Sequence, residues 1–175
     1  MAVMLNELTA SVRSQTGSDV FLRVQTKRAG KIKGEVTSPG HEEDIAILRW
    51  QWGLTASSAI GSTQATGRRS YTALTVHKRI DSSTTALMSA LATNDEVKEA
   101  KLIMRKAGGE QIDYFLITLK AARITGVTHS TDAEGETAEV VSIVFTKVEV
   151  EYKPQKTTGI KGGSMTFTDE LVESA

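Results

Sequence analysis

His41 stands beside three carboxylates, Glu42, Glu43 and Asp44, and the run that follows reaches Trp50 and Trp52, the two tryptophans of the chain. A histidine in close order with carboxylates has the composition of a metal site or of a general acid–base pair. The spacing argues against both. Consecutive residues on an extended chain point alternately to opposite sides, and no second histidine lies near in sequence. The cluster reads as a solvated acidic loop leading into a strand.

The remaining chemistry-bearing residues are as sparse. His77 falls within a strand pattern and His129 in the turn-like "THSTDAEGE", where histidines serve mostly as hydrogen-bonding residues. A serine, histidine and acid triad finds no G-x-S-x-G elbow to stand on. "GIKGG", residues 159–163, lacks the strand before and the helix after that a phosphate cradle needs, and no G-x-x-x-x-G-K-[ST] occurs. Arg68 and Arg69 in "GRRS" read as a solvated rim or as ion-pair partners of a neighbouring subunit. The residues therefore assign no catalytic role, no metal ligand and no cofactor, and the chain reads as a non-enzyme.

The elements around these residues are mainly strands. "MLNELTASVR" sets Met4, Leu5, Leu8 and Val12 at helical spacing, a short amphipathic segment ended by "SQTGSD". "VFLRV" starts the strands. In "IAILRWQWG" alternation sets Leu48, Trp50 and Trp52 on one face as core anchors, with Ile47, Arg49 and Gln51 opposite, so Arg49 and Gln51 face something wet. Residues 55–69 are small and polar and read as a long loop. "SYTALTVHKRI" places Leu74, Val76 and Ile80 opposite Tyr71, Thr75, His77 and Arg79. "DSSTTALMSALATN" is the clearest helix, capped by Asp81, Ser82 or Ser83, with Leu87, Met88 and Leu91 as its buried stripe. Two strands joined at Gly108-Gly109 follow, then a third leaving near Lys120. Glu139 to Tyr152 reads as one overlong strand, apolar on both faces in its first half and alternating in its second.

With 175 residues, 39% of them apolar, the chain can bury one core. The 21 basic and 21 acidic residues balance, so no global field draws the protein to nucleic acid or to an anionic membrane. Aromatic content of 5% argues against a base-stacking platform. The absence of cysteine removes disulfides, thiolate zinc sites and cysteine nucleophiles together. No window approaches the roughly 18 apolar residues that span a bilayer, and the N-terminus has no secretory pattern. Synthesis in the cytoplasm without a signal peptide is expected.

Several blocks together carry a family likeness: "IKGEVTSPGHEEDIAILRWQWG", "GRRSYTALTVHKRIDSSTTALMSALAT", "AKLIMRKAGGEQIDYFLITL" and "VSIVFTKVEVEYKPQKTTGIKGG". In order and in motif, from the K-G-E turn through W-x-W-G and R-K-A-G-G to Y-x-P-Q, the chain from about Val20 to Gly163 resembles the haemolysin-coregulated protein (Hcp) family of the bacterial type VI secretion system.

The resemblance implies a compact two-sheet β-barrel with one flanking α-helix, assembling as a ring. Six copies would form a homo-hexamer whose stacked rings make a hollow tube. A contractile sheath would propel that tube, tipped by a spike protein, into a target cell, with effector cargo in the lumen. Export would follow the secretion route that reads no signal peptide, without membrane insertion and without nucleic acid. A tail-tube protein of a phage or related contractile particle is the alternative. Arg49 and Gln51 would then face the lumen. Arg68, Arg69, Val141, Ile143 and Phe145 would contribute subunit or ring contacts, the last three from the apolar half of the strand at 139–152. The expected organisation is an N-terminal extension at 1–18, a barrel domain at 19–163 and a C-terminal tail at 164–175. The extension has no counterpart in the family pattern, and the tail "SMTFTDELVESA" stands where the family commonly has a tryptophan-bearing ending.

Overall fold

The computed structural model describes residues 18–57, 60–61, 68–106, 111–154 and 163–171. The helical pattern at 4–12, the Gly108-Gly109 turn and most of the segment between Ala56 and Arg69 lie outside them. The described residues form twelve strands and one helix. The strands are β1 (Ser18–Thr26), β2 (Gly30–Ile32), β3 (Ile45–Ile47), β4 (Arg49–Gln51), β5 (Leu54–Ala56), β6 (Arg69–Tyr71) and β7 (Leu74–Arg79). Helix α1 (Thr84–Ala92) comes next, then β8 (Val97–Lys106), β9 (Asp113–Thr131), β10 (Thr137–Val144), β11 (Lys147–Tyr152) and β12 (Met165–Glu170).

Strand β9, 19 residues long, belongs to two sheets. Its first half pairs with β8 on one side and β11 on the other, and its second half pairs with β10. The strand turns between sheets at Ala121, whose φ of 46° is left-handed, a costly conformation for a residue with a Cβ. Thr146 steadies the corner, its Oγ1 donating to the Ala121 carbonyl at 2.9 Å. The expected boundary near Lys120 is thus a bend within one strand. At the same level the chain after β10 breaks at Phe145 and Thr146 before β11. Residues 139–152 are therefore two strands in two sheets rather than one overlong strand, because the sheets diverge there.

The first sheet runs β3 and β2, β1, β8, β9, β11, β12, and the second runs β9, β10, β7, β4. The segment 45–51 links their far ends. Ile45 to Ile47 pair with β1, Arg49 to Gln51 pair with β7, and the chain bends at Leu48, whose amide donates to the His77 carbonyl at 2.8 Å. That bend resets the alternation. Ile47 is buried, Trp50 and Trp52 pack against the core as expected, and Leu48 is 57% exposed. Leu48 is not a core anchor, because it occupies the corner where the strand changes partners.

The core between the sheets holds Leu22, Val24, Leu102, Ile117 and Leu119 from the first and Leu74, Val76, Val141 and Ile143 from the second. Val141 and Ile143 are wholly enclosed within their own chain, which corrects their assignment to subunit contacts: inward-pointing residues of a strand covered on that face meet no neighbour. Helix α1 flanks the barrel through Leu87, Ala90 and Thr84, while Met88 is exposed and so is not part of the buried stripe. Ser83 stands at the N-cap without a side-chain cap bond, and Asp81, two residues earlier, takes a hydrogen bond from the Ser83 amide at 2.9 Å that shapes the turn into the helix. Ile80 is likewise exposed, since β7 ends at Arg79. Residues 165–170 pair along the whole of β11, so the barrel's sheet continues beyond Gly163 into what reads from sequence as a tail.

Candidate functional site: three polar clusters and a wet sheet face

His41 and Asp44 are buried, not solvated, while Glu42 and Glu43 are exposed. The loop 33–44 folds back over the outer face of the first sheet. Gly34 donates to the Glu43 carbonyl at 2.8 Å, Glu43 to that of Val36 at 2.8 Å, and Val36 to that of Asp44 at 3.2 Å. Gly34 is required by this packing. A Cβ there would lie 2.3 Å from the Asp44 carbonyl oxygen, which gives the K-G-E turn its physical reason. His41 stacks on Phe21 with centroids 4.3 Å apart, and the Arg105 guanidinium sits 5.2 Å from the same ring's centre.

Asp44 is the hub of this cluster. Arg23 donates to its two oxygens at 2.9 and 2.8 Å, His41 Nδ1 lies 3.0 Å away and Lys31 3.7 Å. The paired carboxylate raises the Arg23 pKa. The other ring nitrogen of His41 lies 2.9 Å from Asp113 at the start of β9. Arg23, Lys31, His41, Asp44 and Asp113 partner one another inside the chain, and no described group of three or more histidine, aspartate or glutamate side chains could hold a metal ion. The cluster clips a loop to a sheet.

A second cluster was missed from sequence. His129, Glu139 and Lys78 stand opposite one another on β9, β10 and β7. Lys78 Nζ lies 3.1 Å from Glu139 Oε1, 2.9 Å from Asp81 Oδ1 and 3.2 Å from Thr84 Oγ1, and His129 Nε2 lies 3.0 Å from Glu139 Oε2. Lys78 and Glu139 are fully buried. The available signal was parity, since Lys78 follows Leu74 and Val76 at a spacing of two on the inward face.

The third cluster joins distant parts of the chain. Arg69 grips Asp169, its Nη2 donating to Oδ1 at 2.9 Å, and Tyr71 donates to Asp169 Oδ2 at 2.8 Å. Arg69 therefore has its ion-pair partner within its own chain, while Arg68 is exposed. Trp52 stacks on Tyr71, and Phe145 meets both rings edge-on, so Phe145 is half-buried inside the subunit.

The outer face of the second sheet is polar. Across it run Arg49, His77, Val140 and Thr128 in one row and Gln51, Thr75, Ser142 and Gly126 in the next. Arg49 and Gln51 are exposed, as alternation requires. Burial and the nearby Arg49 charge both lower the His77 pKa.

The three described polar clusters tie together the elements of a bent two-sheet β fold. The family model described as "Type VI secretion system effector, Hcp" matches residues 21–152, and the chain belongs to the Hcp family. It is 37% identical over 149 residues to Protein hcp1 of Pseudomonas aeruginosa, covering 83% of this chain and 89% of that one. Its structure is similar to that of Hcp1 from Salmonella typhimurium, with a TM-score of 0.69, 26% identity and coverage of 89% and 96% of the two chains. The Hcp1 protein of E. coli EAEC 042 gives a TM-score of 0.73 at 22% identity, covering 88% of this chain and 99% of that one. The protein is a type VI secretion tube protein, a structural component and not an enzyme, of a family that forms tube assemblies and is secreted by that system.

Proposed function

We propose that six copies close head to tail into a homo-hexameric ring and that the rings stack into the inner tube. A contractile sheath would drive this tube, a spike protein would tip it, and effectors would travel in its lumen. The observation that carries this reading is an apolar run at the sheet edge formed by β12, which no other described strand covers. Tyr152, Met165 and Phe167 continue the core rows of β9 and β11 outward and end 43%, 65% and 44% exposed. Exposed apolar side chains gathered on an open strand edge mark an interaction surface. Head-to-tail closure needs two different patches on each subunit, and this edge supplies one.

The wet face bearing Arg49 and Gln51 supports a lumen lining: small side chains, Thr75, Ser142 and Gly126, flank it. Arg68, exposed, is proposed as a ring contact, and half-buried Phe145 as a contact through its remaining surface. The test compares Phe167→Glu and Met165→Glu with Gln51→Trp. The edge variants are expected to elute as folded monomers, and Gln51→Trp to keep the ring while hindering cargo. Rings that survive both edge substitutions would remove the edge from the assembly.

A further inference from the structure

Hairpin β5–β6 extends beyond the β4–β7 pair, joined to it at Gly53 and Thr72, and among the described strands its two strands pair only with each other. An isolated two-stranded hairpin is marginal in water. Strand β12 is nearly as bare: among the described strands it pairs with β11 alone, and of its six residues all but Asp169 are exposed. These two weak elements meet through one carboxylate. Asp169 receives the fork of the Arg69 guanidinium and the Tyr71 hydroxyl, and the Glu170 carbonyl receives Arg69 Nη2 at 3.1 Å. A two-pronged arginine–carboxylate pair fixes geometry as well as distance. Tyr71 is itself fixed from behind, stacked on Trp52 at 5.7 Å and 9° and edge-on to Phe145 at 5.3 Å.

We infer that β12 is a strap for the β5–β6 hairpin: the two elements order and release together through Asp169, so the C-terminal strand sets the pose of the hairpin. The coupling is reciprocal by linkage, so a contact made on either element is felt at the other. Both stand at the low-stability end of the fold, where cooperative local opening occurs. The inference does not depend on ring formation, because both partners belong to one chain.

Amide hydrogen exchange on the full-length protein tests it, comparing the wild type with Asp169→Asn and Arg69→Met. Asp169→Asn, a change on β12, is expected to speed exchange in the hairpin at 54–56 and 69–71 by about tenfold or more. Arg69→Met, a change on the hairpin, is expected to do the same in β12 at 165–170. Exchange in β8 and in the middle of β9 should stay as in the wild type, which shows that the barrel remains folded. The inference is overturned if either substitution loosens only its own element, or if the hairpin keeps its protection in Asp169→Asn.

Discussion

Lys78 and Glu139 face each other across β7 and β10 with their charged atoms 3.1 Å apart, and neither side chain reaches solvent. Breaking a buried pair by removing one partner strands a charge and costs about 3–5 kcal/mol, whereas replacing both by apolar residues of similar volume is often close to neutral. Lys78→Met is therefore expected to lower stability by that amount in urea unfolding, and Lys78→Met with Glu139→Leu to recover most of the loss. A double variant as unstable as the sum of its singles would show that the two side chains do not act as a pair.

Asp44 holds Arg23, His41 and Lys31 together beneath the loop at 33–44. Asp44→Ala is expected to cost about 3 kcal/mol, near the lower end for a buried pair because Arg23 is partly exposed. His41→Ala should cost less, since it removes the ring from Phe21 and leaves the arginine pair intact. The order of the two, read from thermal unfolding, checks which residue is the hub.

Gly34→Ala would drive a Cβ into the Asp44 backbone. The neighbour is backbone and gives little, so a loss of about 1–3 kcal/mol is expected, as for other overpacked sites. Gly40, at φ 82° with open space around it, gives a contrast: Gly40→Ala meets only conformational strain, and its smaller loss would confirm that close approach is what Gly34 serves.

The Asp169 carboxyl is held below the usual carboxylate range, first by the hydrogen bond from Arg69 and then by that from Tyr71. Its folded value lies below its unfolded one, so its contribution to stability is full above about pH 4 and fades as pH falls through the lower folded value. Tyr71 is pushed up to about 12 by burial and by its bond to Asp169. Its contribution is full below the ordinary tyrosine value of about 10 and fades as pH rises from there. The fluorescence of Trp52, stacked on Tyr71, is expected to stay level between these limits and to change beyond each. In Asp169→Asn the acid change that comes from the strap should vanish. An acid limb identical in both proteins would place its origin elsewhere.

The strands, the helix and the wet placement of Arg49 and Gln51 were legible in sequence because period-two alternation and capping residues are local signals. The corners were not. Leu48 is exposed because the chain changes partner strands there, and the break at Phe145 and Thr146 follows from the divergence of two sheets, neither of which is encoded within a few residues. His41 likewise reads as solvated until β1 brings Phe21 and Arg23 beneath it. Asp169 lies 100 positions from Arg69, and no local pattern announces that contact.

The most direct test of the tube account is the mass of the purified protein in solution, measured by light scattering on a size-exclusion peak that is then imaged by negative stain. The account predicts a species of about six times the 18.9 kDa chain, seen as rings with a central hole. A monomer that persists as concentration rises would contradict it, and would leave Met165 and Phe167 exposed at an edge that no described strand covers.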